Sequence, residues 1–429
     1  MKPRCVAVVG AGIVGLSAAY ALLQAGVERV VVFEQATVDH IRSASHGISR
    51  LLRFEYGADA FYTRMVGLSL QRWHALERAI GRTLYTNTGL LVLGNEDDGH
   101  TVPGYNVLRE MGIPTEYLTH RACFQRFPQF DLHDYDFCTY TQEAGILHAS
   151  TCLQGLKTAI LSAGGYIQEY CTVMGWNDET PHAPVRLRLS TGDEFVADRV
   201  VLATGSWVHR LLYDFHLPVR LTRQYVLYFS RLFVPFFRRG IFPAFIADDL
   251  YGFPTYGFGR QHGSDWLKAA SHAFGDTAQP DDPPRIAEHV ITDVRQRLCR
   301  LIPALCRAEL VYIDSCVYDV SADQNFIIDR LPDDPRIVFA TGLTGHGFKF
   351  GPLLGELLCN LVCEVEPAVS LDPFCLRRFA DQRLVASARQ HTSLPEIGAE
   401  IDKYDYQHID GRQHQTENRE HNCPCGNAT

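Results

Sequence analysis

The first forty residues show short apolar runs separated by glycine and polar residues, a pattern typical of a strand, a helix and a second strand. Val6–Val9 form an unbroken apolar run, an Ala- and Leu-rich stretch follows Gly15, and Val30–Phe33 form a second β-branched run. Such runs predict buried parallel strands, and the stretch between them predicts the connecting helix. The N-terminus is therefore predicted to fold as a β-α-β unit.

Similar patterns continue along the chain and predict a large α/β protein. Thr83–Asn95 is rich in β-branched and aromatic residues and predicts a hairpin, and residues 217–259 predict an antiparallel sheet for the same reason. The other predicted elements are a helix at Thr151–Ser162, strands at Arg199–Gly205 and Arg336–Gly342, and a helix at Leu353–Cys363. Parallel-type strands thus occur at both ends and in the middle, so we expect the domain begun at the N-terminus to be discontinuous.

Length and composition favour two domains and argue against several classes of protein. The chain has 429 residues, 46% of them hydrophobic, and a formal net charge of −9. No long basic run favours nucleic-acid binding, and no apolar run reaches the roughly 18–20 residues of a membrane span. The 13 cysteines are scattered and no signal-peptide pattern is present, so we expect free thiols and a cytoplasmic protein.

No metal site is predicted. His148 and His209 have no partners at ligand spacing and are interpreted as structural or surface residues. Cys423 and Cys425 lie close together in a polar C-terminal stretch, which offers too few further ligands and is expected to be disordered.

The turn after the first strand has the spacing of a dinucleotide-binding site. It reads Gly10-Ala11-Gly12-Ile13-Val14-Gly15, and Glu34 ends the second strand. Gly10 permits a tight turn, Gly12 lets the backbone approach a pyrophosphate, and Gly15 lets the helix pack closely; an acid at Glu34 would hold ribose hydroxyls. The alternative is a glycine-rich turn in an ordinary doubly wound sheet, and the motif itself does not choose between NAD and FAD.

Four segments in this order resemble the monomeric sarcosine oxidase family, flavoprotein amine oxidases of the D-amino-acid-oxidase-like group. They are GAGIVG with Glu34, SASHGISRLLRFEYG, DSCVYDVSADQNFIID and TGHGFKFGP, and the similarity extends to about residue 385. The resemblance implies a Rossmann-type FAD-binding domain of the p-hydroxybenzoate-hydroxylase kind with an inserted, mostly antiparallel substrate domain. We expect the first at residues 1–86, 150–216 and 322–385, the second at 87–149 and 217–321, and a C-terminal extension at 386–429.

Cys316 matches the cysteine that binds the flavin covalently in this family, through a thioether to the 8α-methyl carbon. Tyr318, Asp323, Phe326 and Asp329 surround it as in the family pattern. Such a link prevents loss of the cofactor and raises its potential. The alternative is a buried structural cysteine, the commonest role of a free thiol.

The resemblance assigns several cations to the active site. Arg53 and Lys349 are expected to bind the substrate carboxylate, Arg as a planar fork and Lys as a point charge. His46 and Arg50 are expected beside the flavin ring, where positive charge stabilises the anionic reduced form. Arg50 and Arg53 are three residues apart and would share one face of a helix; the alternative for both is a surface salt bridge.

Lys268 matches the lysine that activates oxygen near flavin N5, and Tyr251 and His272 match substrate-pocket residues. The stretch between Tyr251 and Lys268 is longer than in compact bacterial members, which suggests a reshaped entrance and a larger substrate; His262 within it is interpreted as a loop residue. Further cofactor contacts are implied at the following positions: Ser45, Val173, Gly205, Gly345, His346, Gly347 and Lys349.

The sequence therefore predicts a monomeric FAD-dependent oxidase of a secondary or cyclic α-amino acid of the sarcosine or N-methyl amino acid type. Hydride from the carbon next to nitrogen passes to FAD, the imine is hydrolysed, and O2 is reduced to H2O2. Three alternatives remain open: a larger amine as substrate (pipecolate, a fructosyl amino acid or a natural-product intermediate), a dehydrogenase with another acceptor, and a non-catalytic nucleotide-binding sensor.

Overall fold

The computed structural model describes residues 2–177, 183–255, 265–283 and 286–379, all within one compact unit. Its helices are α1 Ile13–Gln24, α2 Ala60–Ile80, α3 Thr101–Glu110, α4 His120–Arg126, α5 Ala149–Ser162, α6 Val208–Leu211, α7 Val234–Phe237, α8 Glu288–Leu301 and α9 Gly351–Cys363. Its strands are β1 Cys5–Val9, β2 Arg29–Phe33, β3 Arg50–Leu52, β4 Tyr85–Asn87, β5 Leu90–Gly94, β6 Thr115–Thr119, β7 Phe137–Thr141, β8 Gly145–Leu147, β9 Tyr166–Gln168, β10 Val173–Asn177, β11 Val185–Leu189, β12 Glu194–Ala197, β13 Arg199–Leu202, β14 Val219–Ser230, β15 Ala244–Ala247, β16 Leu250–Phe253, β17 Leu267–Ser271, β18 Glu309–Ser321, β19 Ile327–Arg330 and β20 Ile337–Thr341.

A six-stranded sheet in the order β19-β20-β13-β1-β2-β9 forms the nucleotide-binding half of the fold. Its strands are parallel except β19, which is antiparallel to β20. Val6 and Val8 of β1 pack into the core that contains α1, α5 and α9, whereas Ala7 and Val9 pack towards the three-stranded sheet β10-β11-β12. Both faces are covered, which explains why the sequence of β1 is apolar at every position after Cys5.

Helices α1 and α9 pack closely because glycines face them at the contact. A Cβ at Gly355 would lie 2.3 Å from the backbone carbon of Ser17, and one at Gly351 would lie 2.4 Å from Ile13 Cγ1. The helix that follows the last strand of the sheet is thus held directly against the helix that begins the nucleotide site.

An eight-stranded sheet in the order β18-β14-β17-β16-β15-β5-β7-β6 forms the other half. Its pairings are antiparallel except that of β5 with β15, and β14 and β18 pair along nearly their whole length, from Val219–Ser321 to Ser230–Glu309. A small sheet in the order β3-β8-β4 carries the segment that follows the first α-β unit. The predicted α/β fold class, with a largely antiparallel second sheet, is confirmed.

Most predicted elements are present, but two local predictions are wrong. Thr83–Asn95 is not a hairpin, because β4 pairs with β8 whereas β5 pairs with β7 and β15. Gly89 between them has φ +67°, which redirects the chain from one sheet to the other. Arg50 and Arg53 do not share a helix, since Arg50 begins β3 and Arg53 follows its last residue.

The six-stranded sheet takes its strands from residues 5–9, 29–33, 166–168, 199–202, 327–330 and 337–341. The predicted domain boundaries stay a prediction. His262, most of the stretch before Lys268, Cys423, Cys425 and the extension 386–429 lie outside the described residues. Within the described ranges, no helix has both the length and the apolarity needed to cross a membrane.

Candidate active site

A long cleft runs along the carboxyl ends of β1, β2 and β13 and encloses about 940 Å³. Eight residues predicted to contact the cofactor line it: Gly10, Gly12, Ile13, Val14, Glu34, Ser45, Val173 and Gly205. Ligands of open α/β sheets bind at this edge, where strand order reverses between β1 and its neighbours on either side. The sequence-predicted nucleotide residues are therefore gathered in one cavity.

The glycine turn leaves room for phosphate groups and little else. Gly10 has φ +102°, and a Cβ there would lie 2.4 Å from the carbonyl oxygen of Ala203. Gly15 lies outside the cleft lining, and its Cβ would lie 1.9 Å from the Gly10 oxygen, so it serves the close packing of α1. Gly12 precedes α1 without a side-chain cap, which leaves backbone N–H groups at the positive end of the helix.

Glu34 and Ser45 are both held by backbone N–H groups of the glycine turn. Ala11 N–H donates to Glu34 Oε2 at 2.8 Å, and Ile13 N–H donates to Ser45 Oγ at 3.0 Å. His40 Nε2 lies 3.6 Å from the other Glu34 oxygen, and burial lowers the pKa of His40. An acid at the end of β2 beside a glycine turn is the arrangement that binds the ribose and pyrophosphate of a dinucleotide, so the residues present fit FAD.

Sequence reasoning missed part of this lining. Gln35, His40, Ser43, Thr204, Ser206, Trp207, Arg210 and Asp319 also face the cleft. The TGSW stretch after β13 was the available signal, because residues that follow a parallel strand lie at the ligand-binding edge.

A second, inner chamber of about 740 Å³ gathers the residues predicted for catalysis and substrate binding. It is lined by Arg50, Arg53, Tyr251, Lys268, His272, Gly345, His346 and Lys349, together with Ser49, Asp249, Tyr318 and Phe348. These side chains come from the segment around β3, from β16 and β17, from β18 and from the loop before α9. Four cationic side chains therefore share one partly enclosed space.

Lys268 lies on β17 and is 2% exposed. Its Nζ donates to the Ser49 carbonyl oxygen at 2.8 Å and to Ser49 Oγ at 3.1 Å, and it lies 5.2 Å from the centre of the Phe253 ring. Burial, with a further contribution from Arg50, lowers the pKa of Lys268 to about 7. This lysine can gain or lose its charge near neutral pH.

Arg50 is anchored by backbone oxygens and faces the inner chamber. It donates to the carbonyl oxygens of Ser49 at 2.8 Å, Ala44 at 2.9 Å and His46 at 2.5 Å. His46 lies beside the chamber and outside its lining, and its Nδ1 is 2.9 Å from Asp39 Oδ1. The hydrogen bond with Asp39 raises the pKa of His46.

Arg53 and Lys349 converge on one aromatic ring. The Arg53 guanidinium carbon lies 4.8 Å and Lys349 Nζ 5.2 Å from the centre of the Tyr56 ring. Trp73 and Ser69 donate to the Lys349 carbonyl oxygen at 2.8 Å and 2.6 Å, which fixes its backbone. Burial and the charge of Arg53 hold the pKa of Lys349 well below its usual value. An anion placed between these cations would relieve that repulsion.

Three further titratable side chains of the chamber, His272, His346 and Tyr251, are held in neutral forms. Burial lowers the pKa of His272 to about 4 and that of His346 well below its usual range, and it raises the pKa of Tyr251 to about 12. Gly345 has φ +73°, and a Cβ there would lie 2.2 Å from the Tyr318 ring, so this loop requires glycine. A Cβ at Gly347, which is predicted as a cofactor contact, would lie 2.7 Å from the Leu343 side chain.

Cys316 lies on β18, opposite Gln224 of β14. Alternate residues of a strand project to the same face, so Cys316 points the same way as Tyr318, which lines the inner chamber. Burial raises the pKa of the Cys316 thiol, and the charge of Arg50 opposes this effect. Cys316 itself is outside the described lining of both cavities.

A dinucleotide cleft on a parallel sheet, beside a chamber with buried cations, is typical of an oxidoreductase that binds a dinucleotide cofactor. Residues 5–361 match the model of the FAD dependent oxidoreductase family, DAO, and the chain belongs to this family. FAD is therefore its cofactor, and the resemblance to sarcosine oxidases seen in the sequence is confirmed.

Curated relatives match the chain over most of its length. The chain is 32% identical to peroxisomal sarcosine oxidase of Mus musculus over 383 residues, which cover 87% of this chain and 95% of that protein. It is 28% identical to N-methyl-L-tryptophan oxidase of Yersinia pestis over 376 residues, which cover 87% of this chain and 98% of the relative.

Solved structures at lower identity share the fold. L-proline dehydrogenase from P. horikoshii is 19% identical with a TM-score of 0.77, and the match covers 89% of this chain and 99% of that one. Glycine oxidase from Geobacillus kaustophilus is 22% identical with a TM-score of 0.73, and the match covers 88% of this chain and 99% of that one.

Proposed function

We propose that the protein is an FAD-dependent oxidase of a secondary or cyclic α-amino acid and that it acts as a monomer in the cytoplasm. The observation that carries this proposal is the convergence of Arg53 and Lys349 on the Tyr56 ring, in the chamber that also contains Lys268. Two cations beside one aromatic wall suit a single carboxylate. The sarcosine and N-methyl-L-tryptophan oxidases among the relatives support this substrate class.

Arg53 is free to bind this carboxylate. Its guanidinium stacks on Tyr56, and none of the hydrogen bonds or ion pairs among the described residues involves its side chain. Lys349 Nζ donates only to the His346 carbonyl oxygen, at 3.2 Å, among the described residues. A bound carboxylate would orient the neighbouring C–H and C–N bonds within the chamber.

The chamber favours a neutral substrate amine, the form that can be oxidised. Arg50, Arg53, Lys268 and Lys349 line it and would repel an ammonium group. The two acids of the same lining already have protein partners, since Asp248 accepts from the Tyr135 hydroxyl and Asp249 pairs with Arg297. His272 and Tyr251 stay neutral at pH 7 because their pKa values are about 4 and about 12. Bound FAD supplies the acceptor for the hydride and passes the electrons to O2, giving H2O2.

Lys268 is proposed to assist the reaction with oxygen, and Arg50, positioned with His46, to balance negative charge at the cofactor. Lys268 is fixed by Ser49, and Arg50 is fixed by three carbonyl oxygens. A cation that is held in place before the reaction costs no reorganisation when negative charge develops on oxygen.

Cys316 is proposed to bind the cofactor covalently at the 8α-methyl carbon. A thioether there would replace the S–H bond of Cys316 and one methyl C–H bond, and O2 would take up the two protons and two electrons as H2O2. Acid precipitation tests the link: flavin should stay in the wild-type pellet and wash out after Cys316→Ala. Cys171→Ala is the matched control, because Cys171 is a free, buried thiol that lines the nucleotide cleft. Flavin that washes out of the wild type would reduce Cys316 to a packing residue.

An anaerobic substrate panel tests the function as a whole. Sarcosine, other N-methyl amino acids, proline, pipecolate and fructosyl amino acids are mixed with the holoenzyme without oxygen. Bleaching of the flavin absorbance by N-methyl or cyclic amino acids is the expected result. A yellow protein that no amine bleaches would contradict the proposal and favour a nucleotide-binding sensor.

A larger amine is a second candidate, favoured by a further cleft. This outer cleft comprises about 1730 Å³ of space, part of it open to solvent, and shares Arg53, His272 and His346 with the inner chamber. Sarcosine would leave that space to water, whereas a longer substituent would extend into it.

A further inference from the structure

The segment after β3 places a carboxyl group next to the proposed substrate-binding arginine. Arg53 and Glu55 are two residues apart in an irregular, extended stretch, and both line the outer cleft, whereas Phe54 between them packs into the core. Glu55 is 6% exposed. Side chains two apart in an extended segment project to the same side, which explains why both reach the cleft.

Half of the Glu55 carboxyl group has no protein partner. The Thr141 hydroxyl donates to Oε1, but the buried Oε2 atom has no hydrogen-bond partner. None of the ion pairs among the described residues joins Glu55 to Arg53. A buried, unpaired carboxyl oxygen is costly and is uncommon in folded proteins unless a ligand or water satisfies it. Burial raises the pKa of Glu55 accordingly.

The other acids of the outer cleft already have protein partners. Asp59 accepts from two N–H groups of α2, Asp98 from Thr101, and Asp248 from the Tyr135 hydroxyl, while Asp249 and Asp323 pair with Arg297 and Arg378. Among the acids of this lining, Glu55 is therefore the one with a buried, unused acceptor.

The charge of the outer cleft favours a cationic group. Six carboxyl groups line it, of which Asp249 and Asp323 are paired with arginines, and Arg53 is the one permanent cation of the lining among the described residues. Its histidines, His100, His272 and His346, all have lowered pKa values because they are buried.

We propose that the outer cleft holds the substituent of the substrate and that Glu55 accepts a hydrogen bond from a distal ammonium group on it. The substrate class is then an N-substituted α-amino acid with its carboxylate at Arg53 and Lys349 and a second, basic nitrogen several bonds away. This inference rests on the proposed function and specifies its substrate.

Paired substrates test the inference on the holoenzyme. Nα-methyl-lysine and Nα-methylnorleucine have chains of similar length, and only the first carries a distal ammonium. The wild type should prefer the lysine derivative in kcat/KM by about tenfold or more, since hydrogen bonds to charged groups have this magnitude.

Glu55→Gln replaces the unpaired carboxylate oxygen by a hydrogen-bond donor. The amide oxygen keeps the Thr141 hydrogen bond, and the NH2 group takes the place of the free Oε2. The preference for the lysine derivative should fall to about one or below. Glu116→Gln is the matched control: it makes the same charge change at an exposed position of β6, where Glu116 pairs with Arg126. Its preference should equal that of the wild type.

A binding measurement separates this inference from the proposed function. Isothermal calorimetry compares 6-aminohexanoate with hexanoate, which have the same carboxylate and no α-amine to oxidise. Tighter binding of 6-aminohexanoate to the wild type, lost in Glu55→Gln, supports the ammonium site even if no amine bleaches the flavin. Equal binding of both acids and equal oxidation of both amines by the wild type overturns the inference while the proposed function stands. The wild-type comparison decides the matter even if the variant does not fold.

Discussion

Replacing Lys268 by methionine gives a sharp test of how charge in the inner chamber controls the reaction with oxygen. Methionine keeps most of the volume of the buried side chain but removes the ammonium that donates to Ser49. If a cation at this position assists O2 reduction, the second-order rate constant for flavin reoxidation should fall strongly. Loss of one preorganised electrostatic group commonly costs about 10²–10³ in rate.

The pKa of Lys268 makes the prediction more specific. With a pKa of about 7, the protonated fraction is about 0.9 at pH 6, about 0.5 at pH 7 and about 0.1 at pH 8. Because this pKa is lowered from 10.5, the charged form is present at acid pH and is lost as the pH rises through 7. The groups that set it are Arg50, which lowers the pKa further, and Asp314 and Cys316, which oppose the shift. Reoxidation by O2 should therefore slow by about tenfold between pH 6 and pH 8.

Stopped-flow mixing of the reduced holoenzyme with oxygenated buffer measures this rate constant. The wild type should show the acid-side maximum, and Lys268→Met should be slow and independent of pH over the same range. Lys157→Met is the matched control, because Lys157 pairs with Glu169 away from the chamber. A wild-type rate that is constant from pH 6 to 8, or a methionine variant that reoxidises at the wild-type rate, would refute the reasoning and favour a dehydrogenase with another acceptor.

Two further predictions follow from the site geometry. Gly345→Ala should destabilise the fold by more than about 2 kcal/mol and weaken flavin retention, because a Cβ would lie 2.2 Å from the Tyr318 ring. Gly81→Ala is the control: Gly81 has φ +65° with open space around it, so the substitution should cost only about 1–2 kcal/mol. Denaturant unfolding measures the free energy of unfolding of both variants. Asp39→Asn should lower the free energy of unfolding at pH 5–6 and have little effect at pH 8. The hydrogen bond with Asp39 raises the pKa of His46 in the folded protein, so protonated His46 stabilises the fold fully below the pKa of the unfolded chain. This contribution is lost as the pH rises through the pKa of His46 in the folded protein. Equal losses at both pH values in unfolding experiments would contradict the second prediction.

The nucleotide cleft was predictable from sequence because its demands fall on the backbone. Gly10 and Gly15 are required where a Cβ would strike a carbonyl oxygen, and this requirement leaves a spacing that can be read in one short segment. Glu34 directly follows the last residue of β2, so its place at the same edge of the sheet could also be predicted. The fold class followed from the strands that flank these residues.

The inner chamber was less predictable, since its residues come from distant segments. No local sequence pattern predicts that Arg53, Lys268 and Lys349 share a site. Their assignment depended on the family resemblance. The sequence prediction missed Glu55, because an acidic residue after an arginine-rich stretch is usually predicted to be exposed. Its hydrogen-bond partner in the fold, Thr141, lies 86 residues further along the chain. Likewise, nothing local in Thr83–Asn95 shows that β4 and β5 belong to different sheets.

The order of strands in the six-stranded sheet has a consequence for how the protein is made. Val8 of β1 pairs with Val201, and Val201 pairs with Val338, so the central strands come from the beginning, middle and end of the chain. Helix α9 then packs on α1. Long-range pairings of this kind form late, because the intervening chain must be ordered first. The lining of the cofactor cleft runs from Val9 to Leu343, so we expect flavin to be loaded only after most of the chain has left the ribosome.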